Sequence, residues 1–183
     1  MRTAGDDVRN CFGLVTVLAS LLAAPAGAEV LDAAPGGFTV AHERIIDAPR
    51  ARVWEAAVLE VGDWWNPDHT VSGDAARLAI DVRPLGCFCE YLSTTDGVVH
   101  LTVTTVSTGV LLRMTGGLGP LGLMGVNGSL TWEFWDADDG TTRVRFTYAV
   151  GGYADGGLAV LAEPVDGVIG ESLDRLATYA GTQ

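Results

Sequence analysis

The last third of the chain narrows the choice of fold more than any other segment. An alternating run from Thr142 to Val150 passes through Gly151-Gly152 into a long apolar-striped segment ending near Tyr179. Strict alternation is the period of a half-buried strand. Leu158, Leu161, Val165, Val168, Ile169, Leu173 and Leu176 instead recur every three or four residues apart from one adjacent pair, which is the period of an amphipathic helix. Pro164 lies inside that stripe and predicts a kink or break between Val160 and Pro164, because proline removes one helical hydrogen bond and clashes with the preceding turn. A curved sheet followed by one long terminal helix can wrap a hollow, and a hollow is a place for a ligand.

Upstream, Phe38 to Asp47 reads as a strand, and Asp47-Ala48-Pro49 ends it and opens a helix whose buried stripe is Val53, Trp54, Ala57 and Val58. A shorter helical or irregular piece carries Val61 and Trp64-Trp65 and stops at Asn66-Pro67. Six strands follow: Arg77 to Arg83, Gly86 to Thr94, Val98 to Val106, Val110 to Thr115, Ser129 to Asp136 and Thr142 to Val150. Pro84-Leu85-Gly86, Asp96-Gly97, Thr108-Gly109 and Asp138-Asp139-Gly140 are turn chemistry between them, so the class is α+β with short hairpins and an antiparallel sheet. Leu78, Ile80 and Val82 share one face, as do Leu130, Trp132 and Phe134, while Arg143, Arg145 and Thr147 oppose Val144, Phe146, Tyr148 and Val150. That pattern means one covered face, with the helices as its cover.

At the N-terminus Arg2 and Arg9 precede an apolar run from Cys11 to Ala24, and Ala26-Gly27-Ala28 offers the small residues of a cleavage site. The reading is a signal peptide over 1–28, a flexible mature N-terminus over 29–37 and one domain over 38–181, exported to the periplasm or secreted. Removing the leader leaves about 155 residues, enough for a single well-filled core. A net charge of −12 with no lysine excludes the basic stripe that nucleic acid requires and fits a solvated, self-repelling surface. Cys87 and Cys89 are too few for a disulfide framework. Two residues apart on a strand, they are separated by about 6.5 Å, near the upper limit for a bridge, so a reduced pair is expected over a strained disulfide. No Cys or His pair at ligand spacing accompanies them, and no metal or other cofactor is expected.

Arg44-Ile45-Ile46-Asp47-Ala48-Pro49, with Val53-Trp54 four and five residues after the proline, together with the strand-to-helix ending, resembles the START-like or Bet v 1-like superfamily, also called SRPBCC or polyketide cyclase/dehydrase proteins. The resemblance covers roughly Phe38 to Ala180. It implies a helix-grip fold, in which a curved seven-stranded antiparallel sheet wraps the C-terminal helix around an elongated apolar pocket. The superfamily hosts sterol and lipid carriers, plant hormone receptors, aromatic-ring cyclases and chaperone activators, so the fold alone does not select an activity.

Within that frame Glu90 is the candidate acid/base. A two- or four-residue turn between its strand and the next places it on the face of Phe88, Leu92, Val99, Leu101 and Val103, as a carboxylate in an apolar pocket with a raised pKa. A three-residue turn puts it on the wet face beside His100; the inward register is expected because it keeps the apolar residues together. Trp64, Trp65 and His69 lie where the resemblance places the pocket mouth, with rings able to stack on a flat ligand. His42 and His100 read as ordinary strand residues. The remaining candidate lining residues are Leu101, Met114, Trp132 and Phe134 from the sheet, Leu123 from the apolar Gly-rich loop 116–125, and Val165 and Ile169 from the last helix. That loop either plugs the core, gates a cavity or makes transient membrane contact. No nucleophile elbow, phosphate loop or dinucleotide fingerprint is present. The expected function is binding of a hydrophobic small molecule or lipid in an internal cavity, the alternatives being a cyclase- or dehydratase-like enzyme using Glu90 and an interaction module with a filled core.

Overall fold

Strand alternation and helix periodicity meet in one sheet whose covered face is closed by the terminal helix. The computed structural model describes residues 29–182, and the expected leader lies outside them. Its strands are β1 (Glu29–Ala34), β2 (Gly37–Ile46), β3 (Leu78–Ile80), β4 (Cys87–Tyr91), β5 (Gly97–Ser107), β6 (Leu111–Gly116), β7 (Asn127–Asp136) and β8 (Thr142–Gly151). The helices are α1 (Arg50–Leu59), α2 (Val61–Trp64) and α3 (Ala162–Gly181). The sheet runs β1-β2-β8-β7-β6-β5-β4-β3 and every neighbouring pair is antiparallel. It therefore has eight strands where seven were expected. The extra one is β1, formed by residues anticipated as a flexible lead-in and paired with β2 from Glu29 opposite Ala41 to Ala34 opposite Gly37.

The long ladders lie at the centre. β8 pairs with β2 from Ile46 opposite Thr142 to Gly37 opposite Gly151, and with β7 from Asp136 opposite Thr142 to Asn127 opposite Gly151. Period two then sends Val144, Phe146, Tyr148 and Val150 inward together. α3 lies chiefly over β2, and α1 packs on α3 and the far end of the sheet. The break expected near Val160 to Pro164 falls at the change from 3-10 turn to α-helix at Leu161–Ala162. A 3-10 turn over Ala159–Leu161 precedes the helix, and the proline falls in the first helical turn, where its missing N–H has no intrahelical acceptor to lose.

The interior departs from the expected hollow. Met114, Leu130, Trp132, Phe134, Val144, Tyr148, Leu173 and Leu176 are all 0 % exposed, so essentially no space wide enough for water lies against them. Trp132 stacks on Phe146 with centroids 4.5 Å apart, Trp54 meets Phe134 edge-on at 5.3 Å, and Trp64 bridges Trp65 and Trp132. Sheet and helix meet through side chains. The cysteines also differ from expectation: Cys87 and Cys89 form a disulfide, made feasible by a Cα separation of 5.4 Å, well inside bridging range.

Candidate functional site

Both registers considered for the β4–β5 hairpin are realised at once, because β5 carries a bulge. Glu90 faces Val98 and Cys89 faces Val99, but Phe88 faces Leu101, leaving His100 as the extra residue. A bulge re-aims a side chain, and here His100 joins Leu101 on the inner side. Val99 and Leu92, expected inside with Glu90, are exposed instead. Glu90 is 0 % exposed. It accepts hydrogen bonds from the Val71 amide at 2.9 Å, the Ser72 amide at 2.5 Å and His100 Nε2 at 3.0 Å. Burial pushes the carboxyl up. The Ser72 side chain, the amides of Val71 and Ser72, and His100 outweigh it and hold the pKa down at about 2, not raised as expected. A carboxylate so engaged fastens the 70–74 loop to the sheet, and it is poorly matched to proton transfer near neutrality.

Trp64 and Trp65 are buried and anchored by their polar edges: Trp64 Nε1 donates to the Ala56 carbonyl at 2.9 Å and Trp65 Nε1 to the His69 carbonyl at 3.3 Å. Trp65 sets its ring edge-on to Phe88. His69 is partly exposed and donates from Nε2 to Glu171 Oε2 at 3.0 Å, while Asn66 Nδ2 reaches Glu171 Oε1 at 2.6 Å. The 66–72 segment is thus held from two sides, by Glu171 of α3 and by Glu90 of β4. Trp64, Trp65, His69 and Glu90 are brought together around this segment.

Leu101, Met114, Trp132, Phe134 and Ile169 form the inner wall, and Val165 packs half-buried against it. Leu123 does not join them; it is 92 % exposed at the tip of a 3-10 turn (Gly119–Leu123), and Leu121 is the loop residue that points inward. This loop hangs on Tyr148, whose hydroxyl donates to the Gly116 carbonyl at 2.9 Å and accepts from the Leu118 amide at 3.0 Å. Tyr148→Phe removes both bonds while keeping the ring. The expected result is a stability loss of about 1 kcal/mol and faster amide exchange confined to 116–125, read by hydrogen-exchange mass spectrometry.

Sequence reading missed two polar groups. His42 is buried between β2 and α3, donating from Nε2 to Asp166 Oδ1 at 2.8 Å, with Nδ1 left without a partner. Its parity with Phe38, Val40 and Ile46 was the available signal. Trp132 Nε1 is likewise buried without an acceptor, and no pattern in the sequence reports that.

An antiparallel sheet gripping a C-terminal helix, with an aromatic inner wall and a Gly-rich loop at one end, defines a helix-grip protein of the SRPBCC class. The family described as polyketide cyclase / dehydrase and lipid transport matches residues 37–181, and the chain belongs to it. No curated protein matches the sequence significantly. Among solved structures, a conserved protein of unknown function from Enterococcus faecalis is 14 % identical with a TM-score of 0.56, covering 82 % of this chain and 75 % of its own. An uncharacterized protein from Rhizobium leguminosarum is 24 % identical with a TM-score of 0.52, over 79 % and 95 %. A protein of the dynemicin biosynthetic locus is 16 % identical with a TM-score of 0.56, over 77 % and 46 %. At these identities the likeness is one of fold.

Proposed function

We propose that this is an exported carrier that takes up a hydrophobic small molecule or lipid between α3 and the inner wall of β5 to β8. The observation that carries the reading is Trp132. Its indole N–H is fully buried in an aromatic interior and has no acceptor. An orphaned buried donor costs about 1–3 kcal/mol, and a carbonyl or hydroxyl on an otherwise apolar ligand would satisfy it. Side chains fill the interior in the present form, so uptake requires α3 and the 116–125 loop to part. Family membership supports the ligand class, since lipid transport and polyketide chemistry both concern apolar molecules.

A transient membrane contact fits the same end of the molecule. Gly151 pairs with both Gly37 and Asn127, so the loops after β1, β6 and β8 meet there. They present Leu123, Tyr153 at 81 % and Val160 at 72 % exposure. Loading from a bilayer would use this tip. The cyclase or dehydratase reading loses its acid/base in Glu90, whose lone pairs are taken by the 70–74 loop and His100.

The test is native mass spectrometry of the full chain expressed with its leader, followed by titration with fatty acids, phospholipids and flat aromatic polyketides. We expect a bound apolar ligand, a polypeptide mass starting at Glu29, and about tenfold weaker uptake by Trp132→Phe, the loss of one buried hydrogen bond. Absence of any bound molecule and of any uptake from the panel would overturn the carrier and leave the filled-core interaction module.

A further inference from the structure

We propose that Cys87–Cys89 is a thiol–disulfide exchange site, reduced by a dithiol, whose redox state sets how firmly β4 and β5 hold the 66–74 segment. The bond spans the first three residues of β4. So small a ring constrains little of the unfolded chain, because that contribution grows with loop length, and a purely structural staple explains it poorly. Among the described residues these are the only cysteines, so the pair has no alternative partner there.

Placement makes the bond reachable. Phe88 and Glu90 point into the core, so period two sends Cys87 and Cys89 to the outer face. Cys87 is partly exposed and is the sulfur an incoming thiol reaches, while Cys89 is buried at 7 % exposure beside an open recess of about 210 Å³ formed by the β4–β5 hairpin with Tyr91 and Val99. An incoming thiolate attacks Cys87 Sγ, forming a mixed disulfide and expelling Cys89 Sγ as thiolate, which takes a proton from water. The second thiol of the reductant then attacks the mixed disulfide and releases Cys87. Two electrons and two protons pass to the protein, and the dithiol leaves as a disulfide.

The same bond lies across the register step. The bridged residues sit 5.4 Å apart, against about 6.5 Å for two residues of an ordinary strand. Opposite this contracted stretch β5 runs from Val99 to Thr102 with His100 in excess. Contraction of β4 and the surplus on β5 are two sides of one mismatch, and the surplus residue is the one that reaches Glu90. Reduction lets β4 extend, which weakens the inward aim of His100 and the hold of Glu90 on Val71 and Ser72. Asn66 and His69 pass the change to Glu171 on α3. The inference is independent of which ligand the interior takes.

The experiment equilibrates the folded full chain with reduced and oxidised dithiothreitol, alkylates free thiols, and follows hydrogen exchange by mass spectrometry. We expect reversible conversion without unfolding, a stable mixed disulfide on Cys87 when Cys89→Ser is incubated with the disulfide of a monothiol such as glutathione, and amide exchange at 70–74 faster by about tenfold on reduction. Cys87→Ser/Cys89→Ser should reproduce the reduced exchange pattern. Reduction only in denaturant, two free thiols in the protein made under oxidising conditions, or exchange at 70–74 indifferent to redox state would each overturn the proposal.

Discussion

Glu90→Gln is expected to destabilise the protein by on the order of 3 kcal/mol at neutral pH and to remove the part of its acid sensitivity that Glu90 contributes. The carboxyl sits at about 2 in the folded chain against an ordinary 4.5. Between those values the unfolded state binds more protons, so stability rises with pH across that window. The contribution is complete above about pH 4.5 and is lost as pH falls toward about 2. The carboxylate has no surface open to solvent. Glutamine keeps the shape but offers one acceptor where the amides of Val71 and Ser72 need two, and its own NH2 faces donors. Glu60 is also lowered, through its hydrogen bond with Arg52, and shifts acid stability in the same direction. The variant retains that pair, so the difference between the two proteins isolates Glu90. Urea midpoints at pH 7, 4.5, 3 and 2 should converge as the acid limit is approached. Curves that stay parallel over this range would show that the carboxylate does not hold the loop.

How much of this could be read beforehand follows from what periodicity carries. Alternation in Thr142 to Val150 and spacing in Leu158 to Leu176 located β8, α3 and their apolar faces, because each pattern is written within one element. Trp64 and Trp65 were expected at a pocket mouth with rings able to stack on a flat ligand, and the structure instead buries both rings. The β5 bulge was not legible. Period two admits either the Glu90 or the His100 register, and a surplus residue that satisfies both arises only from pairing between strands. β1 was missed because Leu31 to Ala34 is short, followed by Pro35-Gly36, and draws its order from β2 alone. The cysteine pair was judged at ordinary strand spacing, which the observed contraction invalidates. Whether an interior is open or filled is a matter of summed side-chain volume across five strands and two helices, a quantity no single run contains.

Gly170→Ala should reverse the usual sign of its substitution. In a helix interior alanine is favoured over glycine by about 1 kcal/mol. At Gly170 an added Cβ would stand 2.6 Å from His42 Cε1, 2.9 Å from Nδ1 and 3.1 Å from Nε2, so the imidazole face already occupies that space. The ring cannot swing aside cheaply. It is buried under α3 and tied to Asp166 at 2.8 Å, four residues earlier on the same helix. Either that bond breaks inside the core or α3 lifts from β2, and overpacking of this kind costs about 1–3 kcal/mol. The effect should depend on the ring, which a double-mutant cycle measures: in a His42→Ala background Gly170→Ala becomes neutral or stabilising. Thermal or urea unfolding of the four proteins gives the coupling, and a stabilising Gly170→Ala in the native background would show that helix and ring are not in contact. Because uptake is proposed to require α3 to separate from the sheet, the variant that forces this interface apart should also release bound ligand faster, linking the packing of one glycine to the exchange of cargo.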